Sequence, residues 1–323
     1  MSDFKRLSPT EAALRISEIQ NPIVFIHQRP DGDAVGSGAA LCEIFRQLGR
    51  EAQILSADPI PERLKFILDF TGVGVAHDAK GKTPVSVDVA SPSQLGSLWD
   101  TAQTPSLMID HHKIGEPFAD GYTVPEASSA AEALYDILVE LIDMKMARLT
   151  PRLAYALFAA VSSDTGCFAY SNASPKAHRC AAALIDTGID AADINHRLFS
   201  SKSKEQIRAE GFIASKISTD GEGRVAFASL SADELSSLGL KSEHFETAIE
   251  VIRSLKGAEI ALFLRETERG KYKASLRSTG IDVAAVAAKF GGGGHIRAAG
   301  CSLTAESIDE AMALILSELK KGL

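Results

Sequence analysis

Short apolar runs alternate with longer amphipathic stretches through the first half of the chain. Residues 22–26 (PIVFI), 51–57 (EAQILSA), 85–90 (VSVDVA) and 106–110 (SLMID) predict strands. The last two do not alternate apolar with polar, so they predict strands buried on both faces, as in a parallel sheet. Between them, residues 34–49 predict a helix closed by Gly49, and 61–70 a second. Residues 126–146 carry apolar positions at i, i+3 and i+4 and predict a long helix. Residues 150–163 predict another, with Thr150 as N-cap and Pro151 in its first turn. Alternation of this kind implies a parallel sheet covered by helices, an α/β fold.

The pattern changes near residue 186. The segment 186–215 has little strand character and predicts a helical linker between a first domain, 1–185, and a smaller α/β domain, 216–323. In the second domain, strands are expected over 224–231, 259–267, 271–279 and 298–304, the middle pair turning at Arg269 and Gly270. Helices are expected over 231–239, 243–255, 282–290 and 307–321, and the four glycines at 291–294 form a loop.

Composition narrows the class. The chain has 323 residues, 45% of them hydrophobic and 24% charged, which suits two soluble domains with their own cores. No apolar run approaches the roughly 18 residues of a membrane span. The N-terminus lacks the apolar core of a secretory signal, so a cytoplasmic protein with no membrane partner is expected. Cys42, Cys167, Cys180 and Cys301 form no C-x-x-C pair, which disfavours a disulfide scaffold or a thiolate metal site. The net charge of −8 argues against a long nucleic-acid track. It is unevenly spread, with ten basic against seven acidic residues over 241–300, a local +3 that leaves −11 for the remainder.

Acid and histidine clusters follow the apolar runs. His27, Asp31 and Asp33 lie in HQRPDGD, Asp88 ends VSVD, Asp110, His111 and His112 follow SLMI, and Asp164 lies in SSDTG. Each alone has an ordinary reading as a turn, a cap or a surface loop. Together they fall where the carboxyl ends of parallel strands gather ligands. Two carboxylates ~4 Å apart repel by roughly 4 kcal/mol at an effective dielectric near 20, so five in one pocket require cations. Mixed imidazole and carboxylate donors without thiolate suit manganese, iron, cobalt or zinc. The chain thus reads as a two-metal hydrolase. Gly32 is expected to allow a tight turn between the carboxylates. The small residues of AVGSG are expected to admit a phosphate at a helix N-terminus.

In the second domain, GGGGHIRAAG joins the glycine loop to His295 and Arg297. Glycines let backbone amides approach phosphate closely, and His and Arg add charged donors. Arg277, near the end of a preceding strand, is expected to face the same loop.

HQRPDGDAVGS, VDVA, IDHH, SSDTG and GGGGHIRAAG, in that order and over nearly the whole chain, resemble the DHH phosphoesterase family with its DHH-associated C-terminal domain. Within it, the nanoRNases, which hydrolyse short oligoribonucleotides and dephosphorylate 3′-phosphoadenosine 5′-phosphate (pAp), are the most similar group. The resemblance implies a metal-binding first domain, a substrate-binding second domain and an active-site cleft between them. It implies two divalent metal ions, manganese above all: one on His27 and Asp31, the other on Asp33, His111 and Asp164, with Asp88 bridging. Asp110 would orient a histidine, and His112 would serve the scissile phosphate. Arg277, Gly293, Gly294, His295 and Arg297 would hold the rest of the substrate. Ile296 stands where many relatives carry a polar residue, which bears on substrate preference. The expected partners are short oligoribonucleotides or nucleotide phosphates, with homodimer formation left open. A soluble phosphodiesterase for cyclic di-AMP or its linear product is the alternative enzyme. A non-catalytic nucleotide sensor is the alternative from another class.

Overall fold

The computed structural model describes residues 4–101 and 104–321, with the side chains of Thr101 and His295 outside that description. Two compact units divide after Ser201.

The first unit is built on five strands: β1 (Pro22–Phe25), β2 (Ile54–Leu55), β3 (Thr83–Val87), β4 (Leu107–Asp110) and β5 (Gly121–Thr123). All pair in parallel, in the order β2-β1-β3-β4-β5. Its helices are α1 (Pro9–Glu18), α2 (Gly32–Gln47), α3 (Lys65–Thr71), α4 (Ser97–Thr101), α5 (Ala130–Asp143), α6 (Pro151–Asp164), α7 (Pro175–Ile185) and α8 (Ala191–Asn195), the last running into a π-helical turn at His196–Ser200. Successive strand side chains point to opposite faces. Val24 and Ile26 therefore meet Val85, Val87 and the helices α1, α2, α5 and α6, while Ile23 and Phe25 meet Leu95, Met108 and Phe118 on the other face. Both faces are covered, as the non-alternating runs predict.

Helices α2 and α6 approach closely, and the small residues of α2 explain why. A Cβ on Gly36 would lie 2.6 Å from the Ala156 carbonyl oxygen, and one on Gly32 would lie 2.2 Å from Ser163 Oγ. Gly38 faces Ile26 and Ile54 in the same manner. The expectation that AVGSG admits a phosphate is corrected: these positions are filled by protein. Gly32 lies in the first turn of α2 and serves the helix–helix approach.

The second unit, Lys202–Leu323, contains α9 (Lys204–Ser215), β6 (Ser218–Asp220), β7 (Val225–Leu230), α10 (Ala232–Leu238), α11 (Ala248–Arg253), β8 (Ile260–Glu268), β9 (Lys271–Ser278), α12 (Val283–Ala288), β10 (Gly293–His295), β11 (Ala298–Thr304) and α13 (Ile308–Lys320). Its strands form one mixed sheet in the order β10-β11-β9-β8-β7-β6, with β7 and β8 the parallel pair. The expected linker 186–215 is helical in pieces that belong to different units: Ile189 and Ile194 bury into the first core, Ala209 and Ile213 into the second.

The glycine loop is a correction. Gly293–His295 is an edge strand, with Gly293 opposite Gly300 and Gly294 opposite Ala299. A Cβ on Gly292 would lie 2.2 Å from the Gly300 carbonyl oxygen, and one on Gly294, at φ +141°, 2.5 Å from that of Ala298. These two glycines are required by strand approach. Gly293, by contrast, has open space where a Cβ would sit.

A candidate metal centre

Strands β1, β3 and β4 are neighbours, so their carboxyl ends deliver side chains to one place. His27 follows β1, Asp88 follows β3, Asp110 ends β4, and His111 and His112 come directly after it. Asp31 caps α2, its Oδ1 accepting from the backbone N–H groups of Asp33 and Ala34 at 3.0 Å each. Asp164 comes from the helix expected over 150–163 and not from a strand: it is the last residue of α6. The close approach of α6 to α2 at Gly32 and Ser163 brings it to the cluster.

Three groups of donors result, each with its ligand atoms within 4.8 Å of one another: His27, Asp31 and Asp88; Asp33, His111 and Asp164; and Asp88, His111 and His112. Asp88 joins them. Its Oδ2 lies 3.5 Å from His27 Nε2, and its Oδ1 lies 3.5 Å from His111 Nε2. The residue is 2% exposed, and Oδ1 has no hydrogen-bond partner among the described residues. It also holds a left-handed backbone, φ +59°, which costs a non-glycine residue about 1 kcal/mol or more. A strained, buried carboxylate with a bare oxygen among histidines is a group that could hold a metal ion.

The histidines are oriented from behind. His27 Nδ1–H donates to the Gln28 carbonyl at 2.8 Å, and His111 Nδ1–H to that of Ala127 at 3.3 Å. Both Nε2 atoms are thereby left facing the carboxylates, the arrangement that ligand histidines use. Asp33, 1% exposed, accepts from Ser37 Oγ at 2.8 Å and from the backbone N–H groups of Ala130 and Ala131 at 2.6 and 3.2 Å. Those N–H groups open α5, whose positive end favours the carboxylate. Asp110 Oδ1 accepts from His112 Nδ1 at 2.8 Å, and its Oδ2 accepts from the His112 backbone N–H at 3.2 Å.

Electrostatics in the protein alone show how much positive charge the cluster needs. Burial opposes a charge on His27, yet Asp31 and Asp88 push its imidazole up to about 11. His111 is also buried, and Asp88, Asp33 and Asp164 lift it well above its usual range. Burial and then Asp88 push Asp33 up to about 7, while burial and then Asp33 raise Asp164 well above the carboxylate range. Asp88 stays ionised: burial works against it, but His111 and His27 hold it well below that range. His112 is raised too, Asp110 outweighing its burial. Protons thus occupy a cluster whose donor chemistry fits divalent cations.

Residues outside the expected set serve this centre. Ala127, Ser128, Ala130 and Ala131 contact its ligands or the turn that carries them. Glu132, three residues after Ser129, had a signature in the sequence as a helix-capping pattern. Asn172 had none. In the second unit, Arg277 Nε lies 3.4 Å from Glu250 Oε1, and Arg297 stands exposed in the turn between β10 and β11. The side chain of His295, expected beside them, lies outside the described residues.

Residues 21–161 match the model of the DHH family N-terminal domain, and residues 235–321 that of the DHHA1 domain. A bifunctional oligoribonuclease and PAP phosphatase from Thermus thermophilus is 30% identical, over 95% of this chain and 92% of its own. Another, from Bacillus subtilis, is 27% identical over 91% of this chain and 93% of its own. The crystal structure of an exopolyphosphatase-related protein from Bacteroides fragilis shares the fold, with a TM-score of 0.86 at 22% identity over 97% of this chain and 95% of that one. No described helix is long and apolar enough to cross a membrane.

Proposed function

The chain belongs to the DHH family and carries its DHHA1 domain, and from that premise we propose that it hydrolyses short oligoribonucleotides and pAp with two divalent cations, manganese suiting the donors. The observation that carries this reading is Asp88, a buried carboxylate whose two oxygens face two different histidines. His27 and Asp31 hold one cation, Asp33, His111 and Asp164 the other, and Asp88 is shared. A pair of such ions lowers the pKa of a water and neutralises a phosphate.

The chain's own groups do the rest. Gln28 and Ala127 carbonyls keep the ligand histidines in one tautomer. Asp110 fixes the His112 ring and its Nδ1 proton, so that His112 presents a donor to the phosphate or the leaving oxygen. Arg277 and Arg297, with Gly293, Gly294 and His295, bind the part of the substrate away from the reacting bond. Arg277 is already paired with Glu250, so a phosphate must compete for it.

A product profile tests the reading. With manganese supplied, the purified protein is expected to convert RNA dinucleotides to mononucleotides and to remove the 3′-phosphate of pAp. It is expected to act far more slowly on ten-residue RNA and cyclic di-AMP. A preference for cyclic di-AMP would replace the substrate assignment, and inertness toward every phosphoester would leave only a nucleotide sensor.

A further inference from the structure

Behind the metal centre lies a buried acid that the proposed chemistry does not use. Glu132 is 1% exposed, on the first turn of α5. Its Oε2 accepts from Ser128 Oγ at 2.6 Å and from the Ser128 backbone N–H at 3.0 Å. Ser128 and Ser129 are fully buried, and Ser129 Oγ returns the contact by accepting from the Glu132 N–H at 3.2 Å. Lys176 Nζ, 3.7 Å from Glu132 Oε1 and 2.6 Å from Asp136 Oδ2, supplies the balancing charge. A buried carboxylate is expensive unless it is bonded in this way.

What the acid holds is the turn 127–131, and that turn contacts two members of one donor group directly and is linked to the third through Asn172. The Ala127 carbonyl accepts from His111, and the Ala130 and Ala131 N–H groups donate to Asp33. The Asn172 side-chain amide donates to the carbonyls of both Ser128 and Asp164, at 3.0 and 3.1 Å, tying the third ligand to the same turn. The other group is organised locally: His27 leans on Gln28, and Asp31 caps its own helix.

We propose that Ser128, Glu132 and Asn172 form a positioning network that sets the cation affinity of Asp33, His111 and Asp164 without governing that of His27 and Asp31. The proposal rests on the two-cation reading above. Groups that orient metal ligands from behind typically control affinity about 10–100-fold, which is the size expected here.

The test is manganese titration of the full chain, following free ion by electron paramagnetic resonance, with melting temperature as a check on folding. Glu132→Ala should weaken one of two binding events by about 10–100-fold, and Asn172→Ala, at an exposed position, by about tenfold. Glu132→Gln keeps an oxygen facing Ser128 and should restore most of the loss. The same changes are then placed in two backgrounds. In His27→Ala, where the Asp33 group remains, Glu132→Ala should weaken the surviving event. In Asp164→Asn, where the His27 group remains, it should change nothing. Equal losses in both backgrounds, or none in His27→Ala, overturn the network. Should Glu132→Ala fail to fold, Asn172→Ala decides on the same terms. A wild-type chain that binds fewer than two ions overturns the two-cation reading itself, and the network with it.

Discussion

In the first unit, Asp33 is 1% exposed and accepts three hydrogen bonds from Ser37, Ala130 and Ala131. In the second, Ile296 is 55% exposed and stands beside Arg297 in the turn between two strands. The two motifs look equally rich in chemistry when written as letters. Their surroundings differ: the acid and histidine cluster is built around the buried Asp33, Asp88 and Asp110, and its histidines are oriented from behind. The glycine–arginine hairpin spends Gly292 and Gly294 on strand approach and offers the exposed Arg297. A preorganised cluster should fail abruptly when one member changes, whereas an exposed anchor should fail by degrees.

The sharpest break is at Asp88. Asp88→Asn removes the charge shared by both donor groups and should lower kcat by at least ~10³-fold, the scale of the several kcal/mol a metal supplies. The fold should be retained, as circular dichroism would show. Turnover near wild type, with manganese present, would falsify the shared-ligand assignment.

His112→Ala comes next. Loss of a single proton donor should lower kcat by about 10²–10⁴-fold. Metal analysis should still find two ions per chain, and loss of one would make His112 a ligand.

The cluster also predicts how stability depends on pH once cations are chelated. Asp33 is raised to about 7, so the folded state holds its proton above the pH at which the unfolded chain releases it. Its contribution is lost as pH rises from about 4 toward 7. His27, raised to about 11, adds a contribution that is complete below its unfolded value near 6.5 and lost as pH climbs toward 11. Melting temperature in chelator should therefore fall from pH 5 to pH 9, and added manganese should raise it more at pH 8 than at pH 6. A flat profile, or a larger manganese effect at the lower pH, would contradict a proton-filled cluster.

The smallest effects belong to the hairpin. Arg297→Ala should raise KM by about tenfold with kcat little changed, since such an anchor serves ground and transition states alike. Gly293→Ala is the finer probe, because a Cβ there meets nothing within 4 Å. If the Gly293 backbone binds phosphate, KM rises while the melting temperature stays put, and an unchanged KM removes this residue from the substrate site.

Much of this was legible in the letters. His27, Asp88, Asp110 and His111 sit one or two residues past apolar runs, and a parallel sheet delivers such positions to one edge. Thr150 and Pro151 mark the start of α6. Less legible were β5 and β10, three residues each, which owe their existence to the strands beside them. The π-helical turn after α8 carries no periodic signal either.

The sequence by itself determined the α/β class, the mixed nitrogen and oxygen donors and the excess of acidic charge among them, because side-chain type, apolar period and charge are local properties. Tertiary structure alone decided that Asp164 meets the strand-end residues, that glycines in α2 serve packing, and that Glu132 and Asn172 hold the turn beneath one donor group. Each depends on a contact between segments distant in the chain: Asp33 with Ala130, Gly32 with Ser163, Asn172 with Ser128. Such pairings are settled by how helices and strands close-pack, and no window along the chain contains both partners.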